Sequence, residues 1–194
     1  MRRVGFTPLF GLLLVFLLSA CVESKGPLLT GMRPGTPLPA AFVIVNVEGK
    51  PEAGRFDRDE DTYVTLENGV TTVYRLMPME DLIGPTGPFY IGVETKQNDH
   101  GANYGLVEIA PGELVVHSFD DEALAAELGL KADKFGIEVE TDEQLLSLFQ
   151  RVAEDARRGE TKVARFKVLD LADPAQRAEA DKALEETRKA KEAE

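Results

Sequence analysis

The sequence predicts an α+β protein: an antiparallel β meander of about six strands, two helices packed against it and a polar helix at the C-terminus. Three observations support this fold class. Short segments rich in β-branched and aromatic residues alternate with turn signals, two later segments carry helix caps, and the last segment is mostly charged residues and alanine. The chain has 194 residues, 43% of them hydrophobic, which is enough for one modest domain.

The six predicted strands share β-branched or aromatic residues and are separated by glycine, proline or asparagine. They are residues 42–47, 62–67, 70–76, 89–94, 103–109 and 113–117. The clearest hairpin signal is Asn68-Gly69, because this pair readily takes the positive φ angles of a two-residue turn. That turn places Tyr63 opposite Tyr74 on one face of the hairpin.

A short helix is predicted after the last strand of the meander. Ser118 and Asp121 form a capping box for residues 122–128, and Gly129 ends the helix. A short strand over residues 135–139 follows.

A longer helix begins with a second capping box, at Thr141 and Gln144, and ends at Gly159. Its apolar residues recur at helical spacing and predict a core-facing stripe. The stripe consists of Leu145, Phe149, Val152 and Ala156. Residues 162–168 are then predicted as a last strand.

The C-terminal segment begins with Asp173-Pro174, a good cap followed by a first-turn proline. Leu184 is its only large apolar residue. Because a helix without an apolar stripe has little to dock with, the sequence predicts a solvated helix or a fraying tail.

The N-terminus is typical of an export signal. Arg2 and Arg3 precede an apolar run that ends at Leu18. Its uninterrupted part is about ten residues long, whereas a membrane-spanning helix needs about 20. The segment is therefore predicted to be a cleaved signal peptide.

The four residues Leu18-Ser19-Ala20-Cys21 form a lipobox, and here the chain resembles bacterial lipoprotein precursors. The resemblance implies that the Cys21 thiol carries diacylglycerol, that the chain is cut before Cys21, and that the new amine is often acylated, as with palmitate. Such a lipid anchor would hold the mature protein on a membrane. Val22 stands where an aspartate would favour the inner membrane, so the resemblance favours the outer membrane, facing the periplasm.

These signals divide the chain into four parts. The lipoprotein signal peptide comprises residues 1–20, and a flexible tether rich in glycine and proline comprises residues 21–39. The α+β globular domain covers residues 40–170, and the charged C-terminal helix or tail covers residues 171–194. The globular body matches no characterised family.

Composition excludes two classes of interaction. The net charge of −12 disfavours nucleic acid as a partner, because phosphate backbones repel an acidic chain. Cys21 is the only cysteine, so an internal disulfide is excluded.

One acidic segment has the alternating carboxylates of a calcium loop, which makes Asp57, Asp59 and Asp61 candidate metal ligands. The pattern then fails, because Thr62 and Asn68 stand where an EF-hand requires glycine and glutamate. The sequence therefore predicts a polar sheet edge and no metal or other cofactor.

The two histidines, His100 and His117, are the other candidates for chemistry, with Asp99 beside the first. Neither lies in a spaced zinc motif. A hydrolase or metal-dependent enzyme of the envelope that uses Asp99, His100 and His117 is one alternative function. The glycine-rich segment 84–88 lacks the lysine of a phosphate-binding loop and is predicted to be a surface loop.

All four tyrosines fall on predicted strands. They are Tyr63, Tyr74, Tyr90 and Tyr104. On a shared face they could line a ligand or peptide groove, as in a small-ligand carrier; otherwise they pack under the helices or cover the sheet edge.

The sequence as a whole favours a lipid-anchored envelope lipoprotein. Its predicted role is non-catalytic: binding, scaffolding or assembly with another envelope protein. The envelope enzyme and the small-ligand carrier are the alternatives. Neither the process served nor the oligomeric state follows from the residues.

Overall fold

A computed structural model describes residues 22–47, 53–67, 70–97, 101–133 and 136–192. Within these ranges the chain forms eleven strands and three helices. The strands are β1 (Val22–Ser24), β2 (Ala41–Asn46), β3 (Ala53–Asp59), β4 (Thr62–Glu67), β5 (Val70–Ile83), β6 (Pro88–Lys96), β7 (Ala102–Ala110), β8 (Glu113–Ser118), β9 (Lys131–Asp133), β10 (Gly136–Glu138) and β11 (Lys162–Asp170). The helices are α1 (Asp121–Leu128), α2 (Asp142–Arg158) and α3 (Pro174–Glu192).

Eight of the strands close into an antiparallel barrel. From β2 to β8 each strand pairs with the next one along the chain, and β11 pairs with both β8 and β2. The predicted meander of about six strands with two packed helices is therefore wrong. The three remaining strands extend the sheet from one edge of β7.

Two strands explain this error. The outer positions of β3 carry Arg55, Asp57 and Asp59, which resemble a polar turn in sequence, but Phe56 between them is buried in the barrel. The closing strand β11 pairs with β2, so that Leu169 lies opposite Val43. Local patterns do not specify a pairing between such distant segments.

Aromatic and aliphatic side chains fill the barrel. The buried members of this interior cluster are Leu38, Phe42, Ile44, Phe56, Tyr63, Tyr74, Leu76, Val107, Ile109, Leu114, Val116, Phe166 and Val168. Phe42 stacks on Phe56 with ring centroids 5.1 Å apart, and the edge of Tyr63 meets Phe42 at 5.5 Å. Such pairs favour one arrangement of the interior.

Helix α2 packs on the outer face of β7, within an apolar cluster that also contains buried side chains of β5 and β6. The predicted stripe of Leu145, Phe149, Val152 and Ala156 is buried there, which confirms it. The predicted N-cap is also correct, since the Thr141 hydroxyl accepts the N–H of Gln144 at 3.2 Å. The prediction that Ser118 is the N-cap of α1 is wrong, because the capping residue is Asp120.

Helix α3 covers the outer face of β2, β3 and β11. Ala180 is fully buried there, with Ala183 and Leu184 beside it, against Val43 and Leu169. The segment predicted as a solvated helix or tail thus packs on the barrel. Alanines permit this contact because a small side chain lets the helix approach the sheet closely.

Residues 22–39, expected to form most of a flexible tether, lie along the barrel; we call them the N-terminal belt. The belt starts with β1, which pairs with β7 and β10, and it buries Leu29 and Leu38. Its glycines and prolines exclude a helix but not an irregular segment packed on a surface.

Cys21 and residues 1–20 lie outside the described residues, and so does the predicted Asn68-Gly69 turn. In the part of the chain that is described, no helix combines the length and the apolar character needed to cross a membrane.

Candidate functional site

The four predicted tyrosines do not share one face. Tyr63 and Tyr74 are buried inside the barrel, and the half-buried Tyr90 packs against the same interior cluster. Tyr104 points the other way and belongs to the apolar layer between the barrel wall and the helices. The structure therefore brings three of the four together.

An apolar cavity lies beside these tyrosines inside the barrel, with a volume of about 50 Å³. Its lining includes Tyr63, Tyr74, Phe42, Phe56 and Gly92. Ligand pockets usually measure about 300–1,000 Å³. In this conformation the interior is a packed core with room for only a few heavy atoms.

Two tyrosine hydroxyls bind the backbone of the N-terminal belt. The hydroxyl of Tyr63 accepts the N–H of Leu38 at 2.9 Å and donates to its carbonyl oxygen at 3.0 Å. The hydroxyl of Tyr104 accepts the N–H of Leu28 at 2.7 Å and lies 2.9 Å from the hydroxyl of Ser24. These tyrosines thus fasten the belt to both sides of the barrel wall.

A buried carboxyl group lies on β6 next to Tyr74. Glu94 is 3% exposed, and the Tyr74 hydroxyl donates to its Oε2 at 3.5 Å. Lys96 Nζ lies 3.3 Å from Oε1. Burial raises the pKa of Glu94, and Lys96 opposes the rise only in part.

The raised pKa of Glu94 predicts a pH-dependent stability. As the pH rises from the ordinary value of 4.5 towards the raised pKa, the unfolded chain releases this proton first, so the native state loses stability. We expect the free energy of unfolding of Glu94→Gln, relative to wild type, to increase over this window. Urea titrations of both proteins at a series of pH values measure the difference.

Glu154→Gln on the exposed face of α2 is the matched control, since it makes the same substitution at an exposed position. A flat Glu94→Gln difference would contradict the assigned burial effect.

A second buried polar cluster lies outside the barrel wall, between β7, β8 and two loops. Glu108 is 1% exposed and His117 is 3% exposed, and His117 Nε2 lies 2.9 Å from Glu108 Oε1. The other ring nitrogen, Nδ1, lies 2.8 Å from the hydroxyl of Thr161. The edge of the His117 ring meets Phe89 at 5.6 Å between centroids.

The second oxygen of Glu108 binds the loop between β5 and β6. Its Oε2 accepts the N–H groups of Thr86 at 2.7 Å and Gly87 at 3.1 Å. Gly84 must lack a side chain here, because a Cβ would lie 2.5 Å from the Glu108 carboxyl carbon. The loop predicted to lie on the surface therefore surrounds a carboxylate of the protein itself.

Burial lowers the pKa of His117, against the opposing attraction of Glu108, and so favours the neutral ring. A neutral ring that faces the Glu108 carboxylate carries its proton on Nε2 and donates it to Oε1. Nδ1 then accepts the hydroxyl proton of Thr161. Both nitrogens of His117 are thus engaged within the fold.

His117 was a candidate from the sequence, whereas Glu108 and Thr161 were not. The necessary signal is Pro111-Gly112, which lies between the predicted strands 103–109 and 113–117 and is typical of a tight turn. It sets Leu106 opposite His117 and Glu108 opposite Val115, so Glu108 and His117 are diagonal neighbours on one face.

The acidic metal candidates do not form a site. Asp57 pairs with Arg55 at 3.2 Å on the outside of β3, while Asp59 and Asp61 are exposed at the following turn. The described residues include no group of three or more His, Cys, Asp or Glu placed to hold a metal ion. Asp99 and His100 lie outside the described residues.

Comparison with known proteins gives no further information on the site. No family model, curated protein or solved structure matches the chain.

Proposed function

We propose that this protein is a lipid-anchored lipoprotein of the bacterial envelope that binds or stabilises another envelope component without catalysis. The observation that carries the proposal is Leu18-Ser19-Ala20-Cys21 directly after an apolar export signal. Cys21 is the site of lipid attachment, and the outer membrane, facing the periplasm, is the proposed location.

The interior of the barrel is filled by side chains, which favours binding through its outer surface. Aromatic side chains fill the barrel, and the gap beside them measures about 50 Å³. A carrier for a small molecule would need a larger chamber in this conformation. The carrier alternative therefore has less support than binding through the outside of the barrel.

The surroundings of His117 support a structural role for this residue. Its two ring nitrogens bind Glu108 and Thr161, and the ring is almost fully buried. A general base needs access to a substrate proton, which this position does not offer. The envelope enzyme that uses Asp99, His100 and His117 stays a prediction without support from these contacts.

Mass spectrometry of the N-terminal peptide tests the lipid anchor. In a bacterial host we expect the mature protein to begin at Cys21 with diacylglycerol on its thiol. Cys21→Ser should abolish both lipid and cleavage, because its hydroxyl does not replace the thiolate nucleophile. Ser19→Ala keeps a small residue in the lipobox and should be processed normally. A mature chain without lipid would contradict the proposal.

The same strains test the binding role. Crosslinking in cells before lysis should recover one envelope component in near-stoichiometric amounts with the wild-type protein but not with Cys21→Ser. No enrichment with the lipidated wild type would contradict binding while leaving the anchor intact.

A further inference from the structure

The distance between the proposed anchor and the barrel is set by β1. This strand begins at Val22, which is fully buried and lies opposite Tyr104 of β7 and Ile137 of β10. Consecutive Cα atoms are about 3.8 Å apart. A lipid on Cys21 is therefore attached one residue from the wall of the body.

Several contacts hold the belt in this position. The carbonyl oxygen of Glu23 accepts the N–H of Val139 at 3.0 Å, and Asp142 Oδ1 accepts the N–H of Leu29 at 2.8 Å. Further along, the N–H of Gly35 donates to the carbonyl oxygen of Leu76 at 2.7 Å. Detaching the belt would break these bonds together and expose Val22 and Leu29.

We propose that the barrel lies at the membrane surface without a stand-off segment, so that its partner must approach the same membrane. This inference rests on the proposed lipid anchor. A body of this size is about 40 Å across. If residues 21–39 were a free segment, its root-mean-square end-to-end distance of about 25 Å would separate the barrel from the membrane. Because the belt is bound to the barrel, this separation is lost. The partner surface is therefore confined to about 40 Å above the lipid headgroups.

Electrostatic attraction to lipid headgroups does not explain a position of the barrel at the membrane, because the chain is acidic. Loss of Arg2 and Arg3 with the signal peptide changes the net charge from −12 to −14, which opposes adhesion to anionic headgroups. The covalent path from Cys21 into β1 keeps the body at the surface instead.

Energy transfer from the body to the membrane tests the inference. The lipidated protein carries a donor dye on Lys25→Cys and is reconstituted into phosphatidylcholine vesicles with an acceptor dye on the headgroups. Lys25 is suitable because its side chain is 89% exposed, and its Cα lies within about 14 Å of Cys21 along the chain. Cys21 is the only native cysteine, so its alkylated thiol does not compete for the dye.

We expect efficient transfer that falls at least twofold when twelve Gly/Ser residues are inserted between Cys21 and Val22. The same insertion after Glu194 is the control and should change nothing. Equal transfer with and without the N-terminal insertion, in protein shown by mass spectrometry to carry the lipid, would overturn the inference alone. Absence of the lipid would overturn the proposed function.

Discussion

Glu108→Ala is expected to lower the free energy of unfolding by about 2–4 kcal/mol, because it leaves hydrogen-bond donors unsatisfied. The carboxylate is 1% exposed and accepts bonds from His117, Thr86 and Gly87. Its removal leaves the buried Nε2–H of His117 and the half-buried N–H groups of Thr86 and Gly87 without an acceptor, and a buried donor in this state costs about 1–3 kcal/mol. The effect should be large because this one side chain joins β7, β8 and the loop between β5 and β6.

Urea denaturation of the purified mature protein in detergent measures this loss. Glu113→Ala is the matched control, since its ion pair with Arg165 is partly exposed and should contribute about 1 kcal/mol or less. Glu108→Gln keeps the shape of the side chain and should fall between the two. A Glu108→Ala loss no greater than that of the control would show that the cluster does not stabilise the fold.

Tyr104→Phe is expected to cost about 1–3 kcal/mol and to loosen the start of the N-terminal belt. The variant keeps the buried ring but removes the hydroxyl that contacts the Leu28 N–H and the Ser24 hydroxyl. Denaturation gives the energy, and hydrogen exchange of residues 22–29 reports the loosening.

Tyr90→Phe is the control for this variant, because Tyr90 packs against the interior cluster of the barrel, whereas Tyr104 belongs to the layer under the helices. Equal exchange of residues 22–29 in Tyr104→Phe and wild type would contradict the proposed fastening of the belt.

Short-range features of the fold could be predicted from the sequence. The register that places Tyr63 opposite Tyr74 is confirmed in β4 and β5, because only two residues separate the strands and this short connection fixes the register locally. The buried stripe of α2 is also confirmed, since helical spacing alone determines which side chains share a face.

Closure of the barrel could not be predicted, because it depends on β2 and β11 pairing across most of the chain. Strand β3 was not predicted either, because most of its side chains are charged and only Phe56 belongs to the interior cluster. In both cases the deciding information is the position of distant segments and not the local sequence.

The candidate site shows the same limit. Alternation predicted correctly that Tyr63 and Tyr74 share a face, but it could not show that Tyr63 and Tyr104 bind the belt from opposite faces of the wall. The glycines and prolines of the belt predicted a flexible tether, but the buried Leu29 and Leu38 attach the belt to the body. Burial of such isolated leucines depends on the surface available to them.

Hydrogen–deuterium exchange of the lipidated protein in vesicles tests the central claim, a membrane-anchored barrel with its belt bound. We predict that the amides of Leu28, Leu29, Gly35 and Leu38 exchange as slowly as those of the barrel strands, since each donates a hydrogen bond to the body. Rapid exchange across residues 22–39 while β4 to β8 stay protected would contradict it and restore a flexible tether.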